Sequence, residues 1–264
     1  MFTAKNFVSP DTIEEAYKLN QKRSNKIVGG MLWLKMSKQN YDTIIDLSKL
    51  GLDKIEENDN CFEIGAYVTL RDIETHTKLN NCFNNALRDA VKSIVGVQFR
   101  NCATVGGSIF GRYGFSDVLS VFLSLDTTVV LYKKGEIPLE EFIKMPFDND
   151  ILMKIKVAKN GRKCFYQSVR NSKTDFPVLT CASSVLNNKI RLVFGARPFN
   201  ASKVEYDFDL NSNSNSLENL AEKIAENVKE EIKVYSNMRG SKEYRAHLAG
   251  VLSKRAVLEL GGAK

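Results

Sequence analysis

The chain has 264 residues, of which 43% are hydrophobic and 26% are charged, a balance typical of folded globular proteins. Its length predicts one or two domains and allows a sizeable core without metal or disulfide crosslinks. The formal net charge of +7 mildly favours anionic ligands. No stretch approaches the roughly 18 consecutive apolar residues of a membrane helix. Residues 1–9 also lack the apolar run of a signal peptide, so we expect a cytoplasmic protein with no membrane span.

Cysteine and histidine spacing argues against several kinds of catalytic site. The chain has no CxxC pair, and its two histidines, His76 and His247, are far apart. This spacing indicates no zinc site, no redox pair and no Ser-His-Asp triad, so no metal site and no catalytic residue is predicted. The odd number of cysteines favours reduced thiols. We expect all five to be small buried hydrophobic side chains: Cys61, Cys82, Cys102, Cys164 and Cys181.

The first third of the chain predicts two helices separated by strands. Ser9 can cap a helix that begins at Pro10, with apolar residues at helical spacing over 13–19. Thr69 can cap a second, short helix with Asp72 at its third position. The strands predicted between these helices cover 26–30, 43–47 and 61–68, and the first of them runs into a double-glycine turn.

The middle third contains a second double-glycine turn, Val105-Gly106-Gly107, after a helix predicted over 84–94. Ser116 can cap a helix over 117–125. The strands predicted next cover 127–132 and 151–157.

The last third predicts two hairpins and two long helices. Asn160-Gly161 is a hairpin signal between 151–157 and 164–169, and Asn187-Asn188 is one between 178–186 and 190–194. Helices are predicted over 217–228 and 243–260. Strands and helices in this mixed order indicate an α+β fold. We expect a first domain over 1–160, with subdomains of about 1–55 and 56–160, and a second domain over 161–264.

The two double-glycine turns are candidate phosphate sites. Glycine permits positive φ and leaves backbone N–H groups bare, and successive bare N–H groups form a nest for phosphate oxygens. The alternative is that both are ordinary tight turns. The hydroxyls of Thr104 and Ser108 flank the second turn, and Asp117 can accept from a sugar hydroxyl or simply favour the start of its helix. Neither GxGxxG nor GxxxxGK[ST] is present, so any such cradle is of another kind.

Several segments, in order, resemble the FAD subunits of molybdenum hydroxylases, such as those of xanthine and carbon monoxide dehydrogenases. The most specific is Arg100-Asn101 with Ala103-Thr-Val-Gly-Gly-Ser-Ile109 and Ser116-Asp117. Ile64-Gly-Ala66 with Thr69, and Tyr244-Arg with Leu248-Ala-Gly-Val-Leu252, match further family segments. The resemblance implies an FAD-binding domain of two small α+β subdomains, followed by a C-terminal antiparallel sheet plus helices.

The resemblance also implies a role in electron transfer. A molybdenum-cofactor subunit would oxidise the substrate, a [2Fe–2S] subunit would relay electrons, and the FAD of this chain would pass them to an acceptor such as NAD. No His or Cys lies within either glycine turn, so FAD is expected to be non-covalent. The residues that the resemblance assigns to FAD are Lys26, Ile27, Val28, Gly29, Gly30, Met31, Leu32, Trp33, Thr104, Gly107, Ser108, Asp117, Leu152, Gln167 and Phe176.

The sequence departs from the family pattern at two places. Met31, Leu32 and Trp33 stand where the family usually has Thr or Ser and then an acidic residue, so the first loop must use backbone N–H groups alone. Gln167 stands where some xanthine dehydrogenases carry a flavin-contacting lysine. For Phe176, a core position is as well supported as a contact with the isoalloxazine ring.

Two other functions remain open at this stage. A self-sufficient FAD-dependent oxidoreductase on a related fold would need its own substrate pocket and proton donor. A basic nucleic-acid-binding protein would show clustered basic residues with interleaved aromatic residues. The basic residues of 218–233 are instead mixed with acidic ones, as on a solvated helix face, so no nucleic-acid partner is expected.

Overall fold

The computed structural model describes residues 1–209 and 214–262. Within these ranges the chain forms strands β1 to β12: Thr3–Val8, Asn25–Val28, Asn40–Asp46, Ile55–Glu57, Cys61–Gly65, Thr127–Leu131, Gly135–Pro138, Leu152–Ala158, Lys163–Arg170, Pro177–Leu186, Lys189–Gly195 and Ser202–Asp207. Helices α1 to α10 cover Ile13–Asn20, Leu70–Thr75, Thr77–Cys82, Ala86–Val91, Val97–Cys102, Val105–Phe110, Asp117–Ser124, Leu139–Phe142, Ser214–Glu231 and Lys242–Gly261.

The strands form three sheets. A three-stranded parallel sheet has the order β1-β3-β2, with Ile27 of β2 paired with Ile45 of β3. A five-stranded antiparallel sheet has the order β4-β5-β8-β6-β7, and a four-stranded antiparallel sheet has the order β12-β11-β10-β9. Two small mixed subdomains and a C-terminal antiparallel sheet with helices confirm the predicted α+β class.

Two compact units are present, and neither is continuous in sequence. Unit 1 comprises Met1–Ile73, Gly96–Gly111 and Asp126–Ala158, and unit 2 comprises Glu74–Val95, Arg112–Leu125 and Lys159–Lys264. Unit 1 therefore contains the three-stranded and five-stranded sheets, and unit 2 contains the four-stranded sheet. The division of the sequence near residue 160 stays a prediction.

In unit 1, helix α1 covers one face of the parallel sheet. Its buried Ala16 packs with Ile45, Leu47 and Ile151, and the ring of Tyr67 packs against this cluster. Apolar burial of this kind contributes about 25 cal/mol per Å² removed from water. The cluster fixes the end of β3, which is the neighbour of β2 in the sheet.

In unit 2, every residue of β10 except its last is buried. Leu179, Cys181 and Val185 belong to a core that includes helices α9 and α10. The alternate side chains Thr180 and Ser184 hydrogen-bond to α7 on the opposite face of the sheet. Because side chains alternate along a strand, β10 places apolar residues toward α9 and α10 and small hydroxyl side chains toward α7.

Local capping and turn signals were predicted correctly. Thr69 and Asp72 form reciprocal hydrogen bonds at the start of α2. Ser116 caps α7 through a 3.1 Å bond from the N–H of Leu119. Asn187 and Asn188 both have positive φ, at 49° and 55°, between β10 and β11, as a type I′ hairpin requires.

Two predictions about local structure are wrong. Helix α1 is capped by Thr12 rather than Ser9, because the Thr12 side chain accepts from the N–H of Glu15. The strands on either side of Asn160-Gly161 do not form a hairpin. Strand β8 pairs with β5 and β6, whereas β9 pairs with β10, so the turn at Gly161 leads from one sheet to another.

Burial of the cysteines also differs from the prediction. Cys164 and Cys181 are buried, Cys61 and Cys82 are half-buried, and Cys102 is exposed. All five are free thiols. Across the described ranges, no helix has the length and apolar character needed to cross a membrane.

Candidate cofactor site

The first double glycine lies in a loop between β2 and a single 3₁₀ turn at Leu34–Met36. This loop, residues 29–33, is called the glycine loop below. A Cβ atom built on Gly30 would lie 1.8 Å from the carbonyl oxygen of Cys102. One built on Gly29 would lie 2.8 Å from Oγ1 of Thr104. Backbone contact this close excludes a side chain at Gly30, and it brings the glycine loop against the segment that precedes the second double glycine.

The glycine loop presents unused backbone donors. Among the described residues, the N–H groups of residues 29–32 donate no hydrogen bond. The sequence suggests that a glycine adopts the left-handed conformation in this loop. The residue that does so is instead Met31, with a φ of 57°. A left-handed residue turns successive N–H groups toward one concave face, which is the geometry of an anion-binding nest.

The second double glycine is not a turn, and this prediction is wrong. Gly106 and Gly107 lie in the first turn of α6 and have no positive φ. Their N–H groups already donate, that of Gly106 to the carbonyl of Ala66 and that of Gly107 to Oγ1 of Thr104. A Cβ on Gly106 would lie 2.5 Å from the Ala66 oxygen. Gly106 is therefore required by close packing rather than by a phosphate.

Residues 66–70 join the two glycine segments. The carbonyls of Ala66 and Val68 accept from the N–H groups of Gly106 and Val105, each at 2.9 Å. Leu70 donates to the carbonyl of Ala103 at 2.8 Å. The hydroxyl of Tyr67 donates to the carbonyl of Val28, directly before the glycine loop. Both predicted segments are thus held by one stretch of chain in unit 1.

Side-chain donors at this place come from α6. The Thr104 hydroxyl accepts from the N–H of Gly107 at 3.1 Å, so its own hydrogen is left to donate elsewhere. The Ser108 hydroxyl donates to the Thr104 carbonyl at 3.0 Å. A row of bare N–H groups beside one hydroxyl donor suits the oxygens of a phosphate or pyrophosphate.

The other predicted residues of unit 1 lie in β2, in β8 and at the end of the glycine loop. Lys26, Ile27 and Val28 form the end of β2, with Val28 buried and the Lys26 side chain exposed. Leu152 is the buried first residue of β8. Trp33, the last residue of the glycine loop, is 44% exposed.

In unit 2, the predicted residue Asp117 is buried and already paired. One of its carboxylate oxygens, Oδ1, accepts from the Tyr166 hydroxyl and from the Arg170 guanidinium. Burial raises the pKa of Asp117 to about 6, although the positive charge of Arg170 and the bond from Tyr166 act in the opposite direction. Burial and the Asp117 carboxylate raise the pKa of Tyr166 well above its usual value.

Phe176 is connected to the Asp117 cluster through Arg170. Arg170 donates to the carbonyl of Asp175 at 2.5 Å, and the Asp175 carboxylate accepts from the N–H of Phe176 at 2.7 Å. The half-buried Phe176 ring packs edge-on against Phe115 with a centroid distance of 4.8 Å. Arg239 lies 4.9 Å from the centroid of the Phe176 ring. The structure therefore brings Phe176 and Asp117 into one network.

Gln167 lies apart from this network. Tyr166, Ser168 and Arg170 alternate along β9 and join the cluster, whereas Gln167 donates to the carbonyl of Leu252 in α10 at 2.6 Å. Alternation along a strand places it on the opposite face of the sheet. Its contact with FAD stays a prediction.

Sequence reasoning missed Tyr67, Tyr166 and Arg170, which hold the predicted residues in place. Tyr67 stands inside the Ile64-Gly-Ala66 to Leu70 step, where only the flanking residues had drawn attention. Tyr166 and Arg170 lie in a strand of mixed polar and apolar residues, so no local signal marked them as partners of Asp117.

Comparison with known proteins identifies the family. Residues 2–158 match the family described as "FAD binding domain in molybdopterin dehydrogenase", and residues 163–260 match "CO dehydrogenase flavoprotein C-terminal domain". The first match covers more than half of the chain. The chain belongs to this FAD-binding family of molybdopterin dehydrogenases. It is an FAD-binding subunit of a molybdenum hydroxylase, and FAD is its cofactor.

Individual relatives agree with this assignment. The chain is 26% identical to the glyceraldehyde dehydrogenase medium chain of Sulfolobus acidocaldarius over 277 residues, covering 96% of this chain and 97% of that one. It is 32% identical to the nicotinate dehydrogenase FAD-subunit of Eubacterium barkeri over 133 residues, covering 47% and 45%. Quinoline 2-oxidoreductase from Pseudomonas putida 86 shares the fold, with a TM-score of 0.82, 17% identity and coverage of 99% and 96%.

Proposed function

We propose that this chain binds FAD non-covalently and passes electrons from a [2Fe–2S] subunit to an acceptor such as NAD. In this proposal a molybdenum-cofactor subunit supplies the electrons from its organic substrate. The observation that carries the proposal is the glycine loop, with its bare N–H groups at residues 29–32 held against residues 102–104. A short row of backbone donors matches the pyrophosphate of FAD, which carries two negative charges.

The residues of this chain bind and orient the cofactor. The N–H groups of the glycine loop donate to pyrophosphate oxygens, and the Thr104 hydroxyl adds a donor beside them. In unit 1 we also assign Gly107 and Ser108 to the second side of FAD and Leu152 to contact with its isoalloxazine ring. In unit 2 we propose that Asp117 binds a sugar hydroxyl and that Phe176 and Gln167 contact the flavin ring. When bound, FAD supplies reversible electron transfer, and the protein supplies its position and electrostatic surroundings.

Acid precipitation of the yellow protein tests non-covalent binding. The glycine loop contains no His or Cys, and Cys102 is the nearest thiol in sequence to the second segment. All flavin should therefore pass into the supernatant, measured by its absorbance. Cys102→Ser is the matched control and should behave in the same way. Flavin that stays in the pellet of the wild-type protein, but not in that of Cys102→Ser, would contradict the proposal and indicate a thioether.

Native purification with metal analysis tests the role in a complex. The protein tagged in its own cells should co-purify with iron and molybdenum in separate polypeptides. The isolated chain should show at most slow NADH oxidation with an artificial acceptor, and no hydroxylation of heterocycles. A metal-free chain that turns over an organic substrate would favour a self-sufficient FAD-dependent oxidoreductase instead.

A further inference from the structure

The hydroxyl of Tyr67 lies where two neighbouring parallel strands end. It donates to the carbonyl of Val28, the last residue of β2, and accepts from the N–H of Leu47 at 2.9 Å. Leu47 directly follows β3, and Val28 pairs with Asp46 at the end of β3. One side-chain atom therefore joins both strand ends at the point where the glycine loop begins.

The ring and backbone of Tyr67 are themselves fixed. The ring packs against the cluster that contains Ala16, Leu47 and Ile151. The Tyr67 N–H donates to the carbonyl of Leu52 at 2.8 Å. Its neighbours Ala66 and Val68 accept from the start of α6. Tyr67 is thus an anchored residue, and the Val28 carbonyl is the group whose position it sets.

The hydroxyl stays protonated and can always donate. Burial raises the pKa of Tyr67 well above its ordinary value; the bond from Leu47 acts against this shift, and the nearby Asp46 carboxylate adds to it. The hydroxyl therefore keeps the proton that it donates to the Val28 carbonyl. This matters because the peptide that follows Val28 carries the first bare N–H of the loop.

We propose that Tyr67 is a positioning residue for the cofactor: by holding the Val28 carbonyl, it keeps the N–H groups of the glycine loop aimed at the pyrophosphate. Tyr67 itself does not touch FAD in this proposal. The inference rests on the proposed function, because it assumes that the glycine loop is the pyrophosphate site. A loop that is already oriented pays less ordering entropy when it binds its ligand, and Tyr67 supplies that orientation.

Tyr67→Phe tests this directly, because it removes one hydroxyl and keeps the ring in the apolar cluster. Apo-protein is titrated with FAD and with riboflavin, which lacks phosphate, by calorimetry or quenching of flavin fluorescence. Tyr67→Phe should raise the Kd for FAD about tenfold, equivalent to about 1.4 kcal/mol. The Kd for riboflavin should change by less than about twofold, because riboflavin does not use the glycine loop.

Tyr132→Phe is the matched control. The Tyr132 ring packs against the same cluster and lies 5.3 Å from the Tyr17 ring. The Tyr132→Phe variant should bind FAD with the affinity of the wild type. Far-UV circular dichroism confirms that both variants are folded before titration.

The outcomes separate the inference from the function on which it rests. If wild-type protein binds FAD no more tightly than riboflavin, the pyrophosphate assignment fails. If wild type prefers FAD but Tyr67→Phe binds it equally well, the positioning role is wrong. Equal weakening for FAD and riboflavin, or equal weakening in Tyr132→Phe, would also overturn it, since either result indicates a general loosening of unit 1.

Discussion

Gly30→Ala is expected to lower FAD affinity by at least 100-fold, about 3 kcal/mol. The reason is steric. The new Cβ would lie 1.8 Å from the Cys102 carbonyl oxygen, a distance that no real contact reaches, and the atom it meets is backbone and cannot rotate away. The glycine loop must therefore move away from residues 102–104. Its bare N–H groups would then no longer lie beside the Thr104 hydroxyl.

Calorimetric titration of apo-protein with FAD measures this effect. The loop lies outside the strands and helices, so far-UV circular dichroism should remain close to that of the wild type. Gly96→Ala is the control within unit 1. Its Cβ would meet only the movable end of Gln98, at 3.1 Å, and the change at a helix N-cap costs about 1 kcal/mol or less. FAD binding by Gly30→Ala with wild-type affinity would remove the glycine loop from the site.

The sequence predicted the features that depend on residues close to one another in the chain. Asn187-Asn188 specifies a turn because asparagine tolerates the left-handed region, and the flanking strands then have no alternative but to pair. Ser116 and Thr69 specify helix starts for the same kind of reason, since a hydroxyl or carboxylate reaches an N–H three residues away. Such signals act within four residues and are legible in any fold.

Features set by distant residues could not be predicted in this way. Strand β1 escaped detection because its side chains are almost all exposed, so it lacks the apolar alternation of a half-buried strand. Asn160-Gly161 marks a change of chain direction, and Gly161 has positive φ, but the hairpin did not follow because β8 pairs with β5, which lies far earlier in the sequence, and β9 pairs with the next strand, β10.

The site followed the same rule. The two double glycines were recognised, yet their reasons differ from those first inferred. Gly30 and Gly106 are needed because another backbone segment, Cys102 in one case and Ala66 in the other, lies where a Cβ would be, and both segments are distant in sequence. Close packing of this kind leaves no local sequence pattern, so the glycines alone suggested a turn at both places. The left-handed residue, Met31, carries no sequence signal at all.

Arg170→Met is expected to lower the free energy of unfolding by about 3–5 kcal/mol at pH 8. Arg170 and Asp117 are both more than nine-tenths buried as side chains, and the guanidinium is the positive charge in contact with that carboxylate. Without it, the buried carboxylate keeps the Tyr166 hydroxyl as a partner but loses the positive charge of Arg170. Removing one member of a buried pair costs more than the pair contributes, because the remaining charge stays desolvated.

The same variant should be less damaging at pH 5. Burial already raises the pKa of Asp117 from 3.8 to about 6, so the folded state binds the proton more tightly than the unfolded state does. The stability that protonation contributes is complete below pH 4 and is lost as the pH rises through about 6. Loss of Arg170 raises the pKa of Asp117 further. At pH 5 the carboxyl of the variant is therefore neutral, and the unpaired charge no longer has to be buried.

Urea unfolding at pH 5 and at pH 8 measures the loss of unfolding free energy at each pH. Arg170→Met should lose about 2 kcal/mol less at pH 5 than at pH 8, and Asp117→Asn combined with Arg170→Met should remove that difference. Lys254→Met is the control in unit 2, since it breaks an ion pair with Glu222 whose side chains are 42% and 65% exposed. That change should cost between 0 and about 1 kcal/mol at either pH. A loss for Arg170→Met that is equally small, or the same at both pH values, would show that Asp117 does not depend on Arg170 for its charge.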